Sequence, residues 1–126
     1  MPASIPAGTI LYHGRGDDAL PVALEWLAFD FEHSYLVASF WQEYYVMSYM
    51  TSRPLRLAYF DGASASTLED GSLDVQDVLL WGRPDPDRIN DEPERIKLMC
   101  EWGTRLGLDG FVRMEMHLYV PQFAAA

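Results

Sequence analysis

Residues 24–37, LEWLAFDFEHSYLV, limit the fold more than any other stretch, because two different periodicities meet inside it. Trp26 to Phe29 is a short apolar run suited to a buried strand. Asp30 is a good N-cap for a helix that starts at Phe31 and carries Glu32 and His33 in its first turn. A chain that passes from strand to helix at one residue needs a mixed architecture. The corner also gathers backbone N–H groups and titratable side chains at one spot, which makes it an active-site candidate. A capped helix with a solvated first turn accounts for the same residues without any function.

With 126 residues, 49% of them hydrophobic, the chain can bury about two thirds of its unfolded surface, enough for one core. One domain spanning residues 1–126 is expected. Nine Lys plus Arg against nineteen Asp plus Glu give a formal charge of −10. That charge repels phosphate backbones and anionic membranes, so neither nucleic acid nor membrane is an expected partner, and a small-molecule ligand is. Cys100 is the single cysteine, which excludes an intrachain disulfide and is compatible with the cytoplasm, while secretion after removal of a signal stays open. No apolar run approaches the roughly 20 residues of a membrane span, and the N-terminus lacks the features of a signal peptide. Ala124 to Ala126 read as a tail, so truncation at the C-terminus is expected.

Thr9 to His13 reads as a strand and Gly14 to Gly16 as a turn. Tyr44 to Thr51 and Leu55 to Asp61 are two β-rich runs, with Pro54 either making them a hairpin or bending an edge strand. Residues 62–72 are small and polar and read as a loop. Asp74 to Trp81 fits a helical turn or a strand. Glu92 to Leu106 is the firmest helix: Asp91 caps it, Glu94 completes a capping box, Pro93 fits the first turn and Gly107 closes it. Its apolar stripe is Ile96, Met99, Cys100, Gly103 and Leu106, so Cys100 reads as a core residue, and Gly103 as a close approach to another element. Phe111 to Val120 alternates with period two and reads as one strand, with Val112, Met114 and Met116 on one face and Arg113, Glu115 and His117 on the other. If the first set packs under the Glu92 helix, the second lines the opposite side of the sheet.

His13, His33 and His117 have no metal-ligand spacing, and no metal is expected. GxSxG, GxGxxG and a phosphate loop are absent, and paired carboxylates are available in any chain this acidic.

Three short islands carry a family resemblance. Tyr12-His13-Gly14, Ser34-Tyr35 after the strand-to-helix corner, and Gly107-Leu108-Asp109-Gly110 before a Glu-bearing strand resemble the ADP-ribosyltransferase fold of the His-Tyr-Glu type. The run SYMTSRPLRLAYFD is similar to the extended region that follows the second island there. The resemblance implies NAD as cofactor or substrate. It implies that His13 holds the nicotinamide ribose, Gly14 grips the nicotinamide amide through its backbone, Tyr35 stacks on the ring and Glu115 polarises a ribose hydroxyl. Tyr12, Ser34 and Arg113 complete the implied binding set. Separately, LYHGR, EWLAFDFEHSYL, DVLLWG and CEWGTRLGLDGFVRME resemble a group of uncharacterised fungal proteins over nearly the full chain.

The expected fold is α+β, a twisted and largely antiparallel sheet of five or six strands with two or three packed helices. The expected function is an enzyme acting at a glycosidic bond, by NAD-dependent ADP-ribosyl transfer or NAD glycohydrolysis. A paired-carboxylate glycosidase and a non-catalytic acidic binding module are the alternatives.

Overall fold

A computed structural model describes residues 1–21, 25–60, 73–113 and the backbone of 117–120. It is an α+β fold. Its strands are β1 (Pro2–Ile5), β2 (Ile10–Arg15), β3 (Glu25–Ala28), β4 (Tyr45–Met50), β5 (Leu55–Phe60), β6 (Gly110–Arg113) and β7 (His117–Val120). Its helices are α1 (Phe31–Ala38), α2 (Asp74–Trp81) and α3 (Glu92–Arg105), with one 3-10 turn at Pro86–Arg88. The strands lie in the order β1-β5-β6-β7-β3-β2-β4, and every pairing is antiparallel except β5 with β6. That parallel step is the one reached through α2 and α3, because parallel neighbours need a long crossover.

Alternation along the strands gives the sheet two apolar faces. Leu11, Leu27 and Leu57 bury with Ile5 on one, and Val112 packs there too. Ala58, Phe60 and Phe111 bury with Met99 and Cys100 of α3 on the other. The first cluster draws on strands from opposite ends of the order, so the sheet curls to enclose that face. The second face is covered by helix.

Several sequence expectations are met. Asp30 caps α1, its carboxylate accepting from the Glu32 N–H at 3.0 Å. Asp74–Trp81, for which the sequence left helix and strand open, is a helix, closed by Gly82 in the left-handed region. At the C-terminus of α3 the Leu108 N–H donates to Gly103 O at 2.9 Å and the Gly107 N–H to Thr104 O at 3.0 Å, a Schellman closure that requires the positive φ of Gly107.

Other expectations are corrected. Gly14 and Arg15 belong to β2 rather than to a turn. β4 and β5 are no hairpin: β4 pairs with β2 at one edge, while β5 pairs with β1 and β6 near the other. The residues from Phe111 to Val120 are two strands paired antiparallel, with Arg113 opposite His117, and not one. Alternation alone cannot reveal where a run reverses. The face assignment also inverts, because Phe111 and Arg113 face α3 and Val112 the enclosed cluster. Asp91 makes no side-chain cap to α3, while Glu92 and Arg95 of the first turn join an ionic cluster. Leu106 is exposed rather than part of the stripe. A Cβ on Gly103 would meet nothing nearer than Leu108 at 3.7 Å, so no close approach explains that glycine.

The ionic cluster ties α2, α3 and β6 together. Arg95 is fully buried, paired with Asp77, donating to Arg88 O at 3.0 Å and lying 5.0 Å over the Trp81 ring. Glu92 pairs with Arg113. A buried guanidinium is tolerable only with such partners, and removing one would strand the other charge.

Candidate functional site

The β2–β3 ladder contains a single pair, Tyr12 with Ala28, after which the strands separate. A cleft of about 460 Å³ opens beside the gap, and His13, Arg15 and Glu25 line it. The gap also lets the Trp26 ring meet His13 edge to face, 4.6 Å between centroids. Two glycines shape the wall. A Cβ on Gly14 would stand 2.3 Å from Ser34 O and 2.8 Å from Ala38 Cβ, so only glycine allows α1 to seat on β2. A Cβ on Gly16 would stand 2.9 Å from Trp41, whose ring closes over the β2 end and lines the cleft.

His13 is 2% exposed. Its Nε2 lies 3.4 Å from Glu25 Oε2, and its Nδ1 is buried without a hydrogen-bond partner. Arg15 reaches the same Glu25 oxygen at 3.3 Å and holds Asp17 through two bonds, at 2.9 Å and 3.2 Å. Burial pushes the Glu25 carboxyl up, but His13, the Trp26 N–H and Arg15 outweigh it and leave the group below its usual range. The Arg15 bonds, with the Ala19 N–H, likewise hold Asp17 low. Both acids are therefore drawn toward the carboxylate form, in a cleft that Trp26 and Trp41 also line.

The sequence-derived site residues divide between three places. His13 and Gly14 are in the cleft. Tyr12, Tyr35 and Ser34 sit at α1. Tyr12 packs edge to face on Phe31, Phe31 stacks on Tyr35, and Tyr35 meets Tyr44 at 5.7 Å with their hydroxyls 3.4 Å apart. Tyr35 and Tyr44 are both exposed, while Ser34 is fully buried and its Oγ has no hydrogen-bond partner. Arg113 is buried against Glu92 on the α3 face, away from the cleft lining. Glu115 lies outside the described residues, and so do the side chain of His117 and the polar stretch 62–72. Glu25, Arg15 and Trp41 were missed. The signal available for Glu25 was its place at the start of the strand leading to Asp30, but its meeting with His13 depends on β2–β3 pairing.

Comparison with known proteins settles the kinship. A family model described as the YPL277C N-terminal domain matches residues 1–45 and 38–121. The chain belongs to this family. The chain is similar to the uncharacterized proteins YOR389W and YPL277C of Saccharomyces cerevisiae, each 26% identical over 92% of this chain. The chain spans 26% of the first and 33% of the second, so it corresponds to about a third or less of those proteins. No solved structure matches it. Fungal kinship, expected from four stretches, is thereby met; among the described residues no helix is long and apolar enough to cross a membrane.

Proposed function

We propose that this domain acts at the N-glycosidic bond of NAD, by ADP-ribosyl transfer or by glycohydrolysis. The observation that supports the reading is His13, which lines an open cleft beside Arg15 and Glu25. An imidazole in that wall suits a ribose hydroxyl, the role that resemblance implies for His13. Gly14 backbone would serve the amide and Tyr35 the ring, with Tyr12 and Ser34 behind them and Glu115 as the carboxylate that polarises the ribose. Arg113 is left out, because Glu92 already occupies its guanidinium.

Charge separates this reading from an O-glycosidase. Cleaving an ordinary glycoside needs a protonated carboxylic acid to protonate the leaving oxygen. His13, with Arg15 behind it, draws Glu25 toward the ionised form against its burial, and Arg15 does the same for Asp17, which disfavours either as the donor of that proton. Nicotinamide in NAD needs none. The electron pair of the broken C–N bond neutralises the positive ring nitrogen, and water or an acceptor bonds to the ribose carbon as its own proton leaves. What the reaction demands is negative charge near an oxocarbenium-like transition state, which ionised carboxylates provide.

The test is nicotinamide release from NAD by the wild type, His13→Ala and Glu115→Gln. The proposal expects release by the wild type and a fall in kcat on the order of 100-fold for Glu115→Gln with the fold intact. No release and no nicotinamide binding at millimolar concentration would end it. A second reading, an acidic binding module, is favoured by the exposed outer surface of α1 and its following turn, where Phe31, Leu36 and Phe40 stand in solvent.

A further inference from the structure

We propose that the end of the cleft formed by Gly16, Asp17 and Trp41 is a subsite for a nucleoside: the Trp41 indole stacks on the planar base, and the Asp17 carboxylate accepts from a ribose hydroxyl. The inference rests on the NAD reading only for which nucleoside enters.

Packing orients the indole. Trp41 sits in the turn after α1, its backbone N–H donating to Ala38 O at 3.1 Å. A Cβ on Gly16 would stand 2.9 Å from Cδ1, 3.0 Å from Cγ and 3.2 Å from Nε1 of its ring. Three atoms of a five-membered ring lie at such similar distances from a point over the ring face, not from one beyond its edge. Glycine at this position therefore lets the indole lie flat just past the end of β2. Trp41 is still 48% exposed and lines the cleft, so with one face taken by Gly16 the other is left to a ligand. A flat heterocycle is what such a face holds best. Tyr35 is not among the residues lining the cleft, and its ring is engaged with Phe31 and Tyr44.

Asp17 supplies the polar half. An ionised carboxylate offers about four acceptor positions. Arg15 Nε and Nη2 take two of them, at 2.9 Å and 3.2 Å, and the Ala19 N–H takes a third at 3.0 Å. The fork fixes the carboxylate and leaves an acceptor position open, on a side chain that lines the cleft and is 58% exposed. A ribose hydroxyl fits that vacancy. Arg15 is the one Lys or Arg among the described residues lining the cleft, and Asp17 and Glu25 both hold it. No guanidinium is left over for a phosphate. A stacking face beside a hydroxyl acceptor, with no phosphate anchor, matches the nucleoside end of a ligand rather than its phosphates.

Isothermal calorimetry with adenosine and with nicotinamide riboside, the two nucleosides that NAD contains, tests the subsite and shows which of them it takes. At least one should bind the wild type with a Kd in the millimolar range or below. Trp41→Ala should weaken that binding about tenfold, and Trp41→Phe, which keeps a stacking face, should recover most of the loss. The 2′,3′-dideoxy form of the same nucleoside should bind the wild type about tenfold more weakly than its parent, and Asp17→Ala should bind the two forms alike. Neither nucleoside binding at millimolar concentration overturns the inference, and so does an unchanged Kd in a folded Trp41→Ala. A dideoxy form that binds the wild type as well as its parent overturns it too, a result that needs no variant to fold. Trp41-dependent nucleoside binding without nicotinamide release from NAD would instead overturn the NAD reading and leave the subsite standing. Nicotinamide release with neither nucleoside bound would do the reverse.

Discussion

Replacing Gly14 with alanine should push α1 off β2. The added methyl would lie 2.3 Å from Ser34 O and 2.8 Å from Ala38 Cβ, where non-bonded carbon needs roughly 3.5 Å. Neither neighbour is a flexible side-chain tip; one is helix backbone and the other a Cβ. The helix must therefore retreat by about 1 Å, loosening the fully buried Ser34 and Ala38 as it does. Overpacking of this kind costs about 1–3 kcal/mol. In a chain of this size that corresponds to a melting temperature lower by about 4–12 °C. Gly103→Ala is the control, because its methyl would meet only Leu108 at 3.7 Å inside a helix. That change should stabilise by about 0.5–1 kcal/mol through helix propensity. Thermal unfolding of the two variants beside the wild type decides the matter. A Gly14→Ala protein melting at or above the wild-type temperature would refute the packing argument, and with it the account of how α1 walls the cleft.

Two further predictions follow from the burial and charge of single residues. Cys100 is buried under α3 and its thiol is pushed up to about 12 by that burial, so native protein should label slowly with thiol reagents at neutral pH and fast only in denaturant. Asp109 accepts from Arg53 at 2.6 Å and 3.0 Å and from the Arg56 N–H at 2.8 Å, and the Arg53 bonds lead in holding its carboxyl below the usual range. A folded-state pKa below the unfolded one stabilises above about pH 4, and that stabilisation is lost as pH falls through the native value. Urea midpoints measured from neutral pH downward should drop less steeply for Asp109→Asn than for the wild type.

Local chemistry explains which parts of this structure could be read in advance. The strand-to-helix corner was legible because Asp30 and the residues around it act within one turn, and α3 because its stripe and its Gly107 closure are likewise local. Pairing is different. Nothing near Pro54 says that β5 chooses β1 and β6 over β4, and nothing in the alternation after Phe111 marks a reversal, since a hairpin and a long strand share period two. Arg95 is buried because Asp77 and Trp81 meet it from α2, a contact no local pattern in α3 announces. The site divides the same way. His13 and Gly14 stood out through the three-residue island that carries them, whereas Glu25, twelve residues later, joins His13 only through the pairing of β2 with β3. Gly14 shows a further limit: sequence could suggest a backbone close to something, and the closest thing is the carbonyl of Ser34.

The most direct test of the account is an NMR titration of the protein with NAD, followed at the indole N–H groups of its four tryptophans. Trp26 and Trp41 line the cleft between β2 and β3, whereas Trp81 lies under Arg88 and Arg95, and Trp102 packs at the α3 core. Saturable shifts at Trp26 and Trp41, with Trp81 and Trp102 still and the Trp26 and Trp41 shifts lost in His13→Ala, are what the account predicts. No shift at Trp26 or Trp41 at millimolar NAD, or shifts that survive His13→Ala unchanged, would contradict it.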